Sequence, residues 1–254
     1  MSKLIDFHIH IDYYKEYKKL YDYFNNKQIY ALFVTNLPEI YDKCRKEFCN
    51  SKYVKVALGY NPQLIKTHKF NKNIFNSYLG GTKYIGEVGL DYSNEFISTK
   101  EEQKKIFKYI CGRAGEMNKI ISIHSRKAEE DTLAILRENN VRFAVFHWYT
   151  GKLTLIDEII NSGYYFSVNY SMLTSAKGKK IIERIPMDRL LIETDGPFGK
   201  CSKGNKREEY DLEFVYRNFE HYFNNVNIRE IVFNNLSTLL VEQQKVNNVL
   251  KDKL

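Results

Sequence analysis

Short apolar runs alternate with longer amphipathic stretches along most of this 254-residue chain. Eight runs have the length and the β-branched or aromatic content of buried strands: residues 4–10, 29–35, 53–59, 83–88, 120–124, 142–147, 163–168 and 189–194. Strands separated by helices pair in parallel, because each helix returns the chain to the edge where the next strand starts. The repetition predicts an α/β fold, a (β/α)8 barrel of the TIM type with helices outside.

The stretches between these runs have helical periodicity. Residues 100–118 and 126–139 carry apolar side chains along one face, and residues 210–250 predict closing helices. Residues 196–209 follow the last predicted strand and are rich in Gly and Lys, so we expect a mobile loop near the opening of a site. Barrels of this type typically have about 250 residues, so we expect residues 1–254 to form a single domain.

Composition and charge limit the class of protein. No run approaches the ~18 consecutive apolar residues of a spanning helix, and the N-terminus lacks a signal-peptide pattern. Four scattered cysteines without a CxxC pair favour reduced thiols in a cytoplasmic protein. A net charge of +8 with 20 Tyr and 16 Phe favours nucleic-acid partners, although a solvated lysine-rich surface explains the same composition equally well.

Side chains that bind metals stand at the ends of five predicted strands. They are His8 and His10, Glu87, His124, His147 and Asp195. Barrel enzymes carry their chemistry at the C-terminal ends of the strands, and alternate residues such as His8 and His10 share one face. A single histidine at a strand end is usually structural, and Asp195 before Gly-Pro could simply begin a turn. Six such side chains at strand ends together indicate a metal-dependent enzyme.

Five motifs contain these side chains and match a known pattern in order and spacing. They are Asp6-Phe-His8-Ile-His10-Ile-Asp12, Gly86-Glu87-Val-Gly89-Leu-Asp91-Tyr92, Ile123-His124-Ser-Arg126-Lys-Ala128, Phe146-His147-Trp-Tyr-Thr-Gly151 and Leu190-Leu-Ile-Glu193-Thr-Asp195-Gly-Pro197. Through them the chain resembles the TatD family of metal-dependent deoxyribonucleases, within the amidohydrolase-like barrels. The resemblance covers residues 4 to about 200 and is weak beyond them.

The resemblance implies a role for each matched position. His8 and His10 would bind one divalent ion, His124 and His147 a second, and Glu87 would bridge both. Asp195 would complete the shell of the first ion and take a proton from the attacking water. The ligand types leave the choice among Mg²⁺, Mn²⁺ and Zn²⁺ open.

Substrate contacts are expected beside these ligands. Arg126, two residues after His124, has a planar fork that suits phosphate oxygens, and Trp148 and Tyr149 could each offer a ring to a base. Core packing explains Trp148 equally well. Where the family usually has Gly-His-Pro, this chain has Asn61 before Pro62; an amide can bind a phosphate but cannot carry a proton.

The resemblance implies hydrolysis of phosphodiester bonds in DNA, exonucleolytic and on single strands. Two alternatives stay open. A metal-activated water also cleaves amides, esters and lactones, so a small substrate is the first. The second is a subunit that acts mainly through a multi-protein assembly, because the family has members encoded beside phage-defence systems and the loops after His10 and Asp195 depart from its usual pattern.

Overall fold

The computed structural model describes residues 4–49, 51–201 and 210–251. Within them lie eight strands, one for each predicted run: β1 Ile5–Ile9, β2 Tyr30–Phe33, β3 Val54–Val56, β4 Tyr84–Gly89, β5 Ile120–His124, β6 Phe143–His147, β7 Tyr165–Val168 and β8 Leu190–Ile192. The helices are α1 Tyr17–Asn26, α2 Pro38–Glu47, α3 Lys72–Leu79, α4 Lys100–Glu116, α5 Glu129–Glu138, α6 Leu153–Asn161, α7 Tyr170–Leu173, α8 Ala176–Arg184, α9 Leu212–Tyr222 and α10 Ile228–Lys251.

All paired strands run parallel and follow chain order, as β1-β2-β3 and as β4 through β8. Further main-chain hydrogen bonds join these two groups of strands and close the ring. On one side, Gly86 N donates to Leu58 O at 3.0 Å. On the other, Asp195 N donates to His8 O and His10 N donates to Gly196 O, both at 2.9 Å. The predicted (β/α)8 barrel is therefore confirmed.

The third and eighth strands are each three residues long. Gly59, just after β3, lies so close to Thr35 that a Cβ there would be 1.5 Å from the Thr35 carbonyl oxygen. Gly89, at the end of β4, has a φ of +144°, and a Cβ there would lie 1.9 Å from the His124 carbonyl oxygen. Both glycines let neighbouring strand ends approach each other at the C-terminal end of the barrel.

The closing helices are fixed by side-chain bonds to the barrel. In α9, the buried Tyr216 hydroxyl donates to Ile5 O at 2.9 Å and accepts from Ile5 N at 3.0 Å. In α10, Asn235 Nδ2 donates to Leu190 O at 2.8 Å, and Gln243 Nε2 donates to Asn118 O at 2.9 Å. Among the described residues, no helix has both the length and the apolarity needed to cross a membrane.

Candidate metal centre

The six predicted ligands all lie at the C-terminal end of the barrel. His8 lies within β1 and His10 directly after it, while Glu87, His124 and His147 lie near or at the ends of β4, β5 and β6. Asp195 follows β8 by three residues, and its φ of +49° turns the chain at that point. Five of the six side chains are buried, and His124 is nearly so.

Three ligand-type atoms converge at the junction of β1 and β8. His8 Nε2 lies 3.3 Å from His10 Nε2 and 3.6 Å from Asp195 Oδ1, and His10 Nε2 lies 3.5 Å from the same oxygen. Asp195 Oδ1 is buried and has no hydrogen-bond partner among the described residues. A buried carboxylate oxygen without a donor, facing two imidazole nitrogens, has the donor set of a divalent cation site, so the residues fit a metal.

Glu87 lies between this group and the other two histidines. Its Oε1 is 2.8 Å from His124 Nδ1 and 2.9 Å from His147 Nε2, and its Oε2 is 3.4 Å from His10 Nε2. The rings of His8 and His147 stack with their centroids 3.9 Å apart. One carboxylate therefore contacts histidines of both proposed ion sites, as a bridging ligand would.

The ionisation of His8 and Glu87 suits cation binding. Burial, followed by the neighbouring His147, lowers the pKa of His8 well below its usual range, so its imidazole is neutral and keeps a lone pair. Its Nδ1 lies 2.8 Å from Ser122 Oγ, which orients Nε2 into the site. Burial raises the pKa of Glu87, but hydrogen bonds with His124 and His147 outweigh it, so the pKa falls well below its usual range and the carboxylate is charged.

Two further carboxylates contact the outer sides of His124 and His147, away from the other ligands. Asp91 Oδ2 lies 2.9 Å from His124 Nε2 and accepts from Gln63 Nε2 at 2.8 Å. Glu193 Oε1 lies 3.7 Å from His147 Nδ1. Acidic partners of this kind fix the orientation of ligating imidazoles. The sequence motifs contain both residues but by themselves give them no role; the one signal that points to them is a carboxylate within a few residues of a predicted ligand.

Asn61 lines the cavity, but its contacts differ from those predicted. Its Nδ2 donates to Glu87 Oε2 at 2.6 Å and to Asn36 Oδ1 at 2.9 Å, and its Oδ1 accepts from Gln63 N at 2.9 Å. Both amide hydrogens are thus used within the protein, which leaves little capacity for a phosphate. The amide holds Glu87 in place.

The other predicted substrate contacts divide into two groups. Arg126 and Trp148 line the cavity, where Arg126 is exposed and Trp148 is half-buried. Arg126 lies in the turn before α5, because this helix begins at Glu129 and not at residue 126 as predicted. Tyr149 points the other way. It is 1% exposed, its hydroxyl donates to Lys152 O at 2.8 Å, and its ring packs on Phe166. Tyr149 therefore does not line the cavity, and the structure gives no support to the prediction that it offers a ring to a base.

The cavity above the ligands has a volume of about 540 Å³. Besides the residues already described, its wall includes Tyr13, after β1, and Phe198, after β8, neither of which is predicted from the sequence. Phe198 belongs to the loop predicted over residues 196–209; residues 202–209 of that loop lie outside the described residues, so its predicted mobility stays a prediction.

Solved structures with the same architecture include the TatD homologue YJJV from Escherichia coli K12. It superposes with a TM-score of 0.80 at 20% identity over 94% of this chain and 98% of that one. At that identity the likeness concerns the fold. A TatD family protein from Entamoeba histolytica superposes with a TM-score of 0.67 over 93% of this chain and 97% of its own, at 16% identity.

Similarity to curated proteins covers part of the chain in most cases. Human deoxyribonuclease TATDN3 is 30% identical over 142 residues, 55% of this chain and 52% of the human protein. The uncharacterized metal-dependent hydrolase YabD of Bacillus subtilis is 31% identical over 63% of each chain. The match thus spans about half the length of the human relative. An uncharacterized metal-dependent hydrolase of Buchnera aphidicola is 30% identical over 77% of this chain and 78% of its own.

The family model described as TatD related DNase matches residues 5–240, nearly the whole chain and every candidate ligand. The chain belongs to the TatD family of DNases.

Proposed function

We propose that this chain is a divalent-metal-dependent deoxyribonuclease that hydrolyses phosphodiester bonds with two bound ions. The observation that carries the proposal is the buried Asp195 Oδ1, which lacks a hydrogen-bond partner among the described residues and faces His8 Nε2 and His10 Nε2. A protein interior rarely leaves a carboxylate oxygen in this state unless a cation completes it.

Each residue of the candidate centre then has a role in metal binding or catalysis. His8, His10 and Asp195 would hold one ion, His124 and His147 the other, and Glu87 both. Divalent ions bound there would supply a water of lowered pKa and would offset charge on the phosphoryl oxygens. Asp195 accepts a proton from the attacking water, Asn61 fixes the carboxylate of Glu87, and Arg126 at the mouth of the cavity binds a phosphate oxygen through its guanidinium.

DNA as substrate is supported by the family and by the name of the human relative, a deoxyribonuclease. The net charge of +8 favours a polyanion. A cavity of about 540 Å³ has the size of a small-ligand pocket, so a strand would enter it unpaired and present its end to the ions. We therefore propose exonucleolytic hydrolysis of single-stranded DNA.

The test compares end-labelled single- and double-stranded DNA, RNA, and small amide and lactone substrates, each with Mg²⁺, Mn²⁺ or Zn²⁺ and with a chelator. We expect metal-dependent hydrolysis that is fastest on single-stranded DNA. His8→Ala should abolish it, and the matched control His221→Ala, which changes an exposed histidine in α9, should not. Turnover of a lactone or amide without cleavage of DNA would overturn the proposal, as would activity that survives both chelation and His8→Ala.

A further inference from the structure

We propose that Tyr13 and Phe198 form a stacking platform for a nucleobase of the DNA strand, next to the metal centre; this inference rests on the proposed function. The two side chains are 49% and 43% exposed, unusual values for large aromatic rings in this chain. Of the large apolar side chains that are exposed among the described residues, these two line the cavity above the candidate ligands.

The two rings contact each other and the same candidate ligand. Their centroids lie 5.1 Å apart at an interplanar angle of 67°. The ring of His10 meets Tyr13 at 5.8 Å and Phe198 at 5.2 Å, both edge to face. His10 Nε2 faces Asp195 and Glu87, so the aromatic pair lies one ring away from the proposed ions.

The backbone anchors both rings to ligand residues. Tyr13 ends a short 3-10 turn that begins directly after His10, and its N–H donates to His10 O at 3.2 Å. Phe198 N and Gly199 N both donate to Asp195 O, at 2.8 and 2.9 Å. A Cβ on Gly199 would lie 2.1 Å from Thr194 O, so this turn can close only with glycine there. The platform therefore keeps a fixed place relative to the proposed ions.

This place suits a base and not a phosphate. In an eight-stranded ring β5 lies opposite β1, so Arg126, after β5, and the aromatic pair, after β1 and β8, occupy opposite sides of the cavity. A phosphodiester at the centre would have the guanidinium of Arg126 on one side and ring faces and edges on the other. Rings bind any base by stacking, and the stacked base must be unpaired. The pair would thus favour single strands without selecting a sequence.

The experiment removes the two aromatic rings from the protein and, separately, the bases from the DNA strand, and compares the effects. The double variant Tyr13→Leu/Phe198→Leu and the unchanged protein are assayed on a labelled single-stranded oligonucleotide and on the same strand with abasic residues at its three terminal positions at both ends. We expect the variant to lose about 5- to 150-fold in kcat/KM on the normal strand, the range for one stacked base. On the abasic strand the two proteins should be equal.

Two controls separate stacking from structure. Tyr13→Phe keeps the ring and should keep most of the rate, and Phe233→Leu makes the same exchange at an exposed phenylalanine of α10 outside the cavity. An equal loss on normal and abasic strands would show that the rings merely support His10, and an unchanged rate on the normal strand would show that no base stacks there. Either result overturns the proposal.

Binding to the chelator-treated protein gives a readout that does not depend on hydrolysis. Fluorescence anisotropy of the same two oligonucleotides should show a preference for the base-bearing strand that the double variant loses. If the unchanged protein cleaves no DNA with any ion, the proposed function fails, while this binding difference still decides the platform. If the unchanged protein shows no preference for the base-bearing strand, in binding or in cleavage, the proposed platform is overturned.

Discussion

Asn61 Nδ2 donates a hydrogen bond of 2.6 Å to Glu87 Oε2, from a position where the family pattern usually has histidine. The contact connects the residue that departs from the family to the carboxylate in the middle of the site. Because a carboxylate can only accept and Asn61 Oδ1 already accepts from Gln63 N, the orientation of the amide is fixed by its neighbours. In this chain the carboxylate of Glu87 is therefore held by an amide whose orientation is fixed.

Replacing this amide should weaken metal binding. We expect Asn61→Ala to lower metal affinity by roughly 10- to 100-fold, the usual effect of losing a partner of a ligating group. Asn61→Asp should do more, since two carboxylates at this distance repel each other. Isothermal titration with Mn²⁺ measures both, with Asn76→Ala, an exposed asparagine of α3, as the control. Unchanged affinity in Asn61→Ala would mean that Glu87 is held without the amide.

Glu87→Gln should remove the negative charge that both proposed ion sites share, without changing the size of the side chain. We expect kcat on single-stranded DNA to fall by about 10²-fold or more and the metal content to fall below two ions per chain. Elemental analysis and a nuclease assay measure the two quantities, and circular dichroism verifies the fold. Two retained ions with full activity would show that Glu87 does not bridge.

Asp91 should control the second ion through His124. Burial lowers the pKa of His124, but hydrogen bonds with Asp91 and Glu87 outweigh it and raise the pKa to about 9, which shows how strongly these carboxylates act on the ring. We expect Asp91→Asn to reduce metal affinity or activity by roughly 10- to 100-fold while one ion stays bound. Metal titration measures this, and Asp22→Asn, an exposed site in α1, makes the same change elsewhere. Loss of both ions at once would contradict separate sites.

Metal removal should lower the thermal stability of the barrel without unfolding it. Each ion at 100 times its Kd stabilises the native state by about 2.7 kcal/mol, which corresponds to roughly 5–10 °C in Tm per ion for a chain of this size. Differential scanning fluorimetry with and without chelator measures the shift. His8→Ala should show a smaller shift, since it lacks one ligand. An equal shift in both proteins would place the stabilising ion elsewhere.

Two glycines provide a matched test of strand approach at the site. Gly59→Ala would place a methyl group 1.5 Å from Thr35 O, so we expect a loss of ~3 kcal/mol or more and a fall in Tm of roughly 6–12 °C. At Gly80, after α3, a Cβ meets nothing within 4 Å and the φ of −65° suits alanine. Gly80→Ala should therefore gain about 0.4–1 kcal/mol. Thermal unfolding of both variants checks the pair, and equal Tm values would contradict the close approach.

Much of the fold and the set of candidate ligands could be predicted because both follow from short-range patterns. Apolar runs of strand length, separated by helical periodicity, predict eight parallel strands, and parallel strands place all their C-terminal ends on one face. His8, Glu87 and His147 could therefore be assigned to one site before any distance was known. Strand ends were less accurate, as in β3, since the turn after it depends on the approach of Thr35 to Gly59.

Contacts between distant segments could not be predicted in this way. Which of Trp148 and Tyr149 faces the cavity depends on a backbone turn with a φ of +38° at Trp148, and the amide of Asn61 finds Glu87 across the strand ends. Tyr13 and Phe198 lie 185 positions apart and meet because the segment after β8 closes on β1. Local composition carries no signal for such meetings; they arise when ring closure and side-chain packing choose one arrangement. Local pattern thus predicts the candidate metal ligands, and tertiary closure decides which side chains surround them.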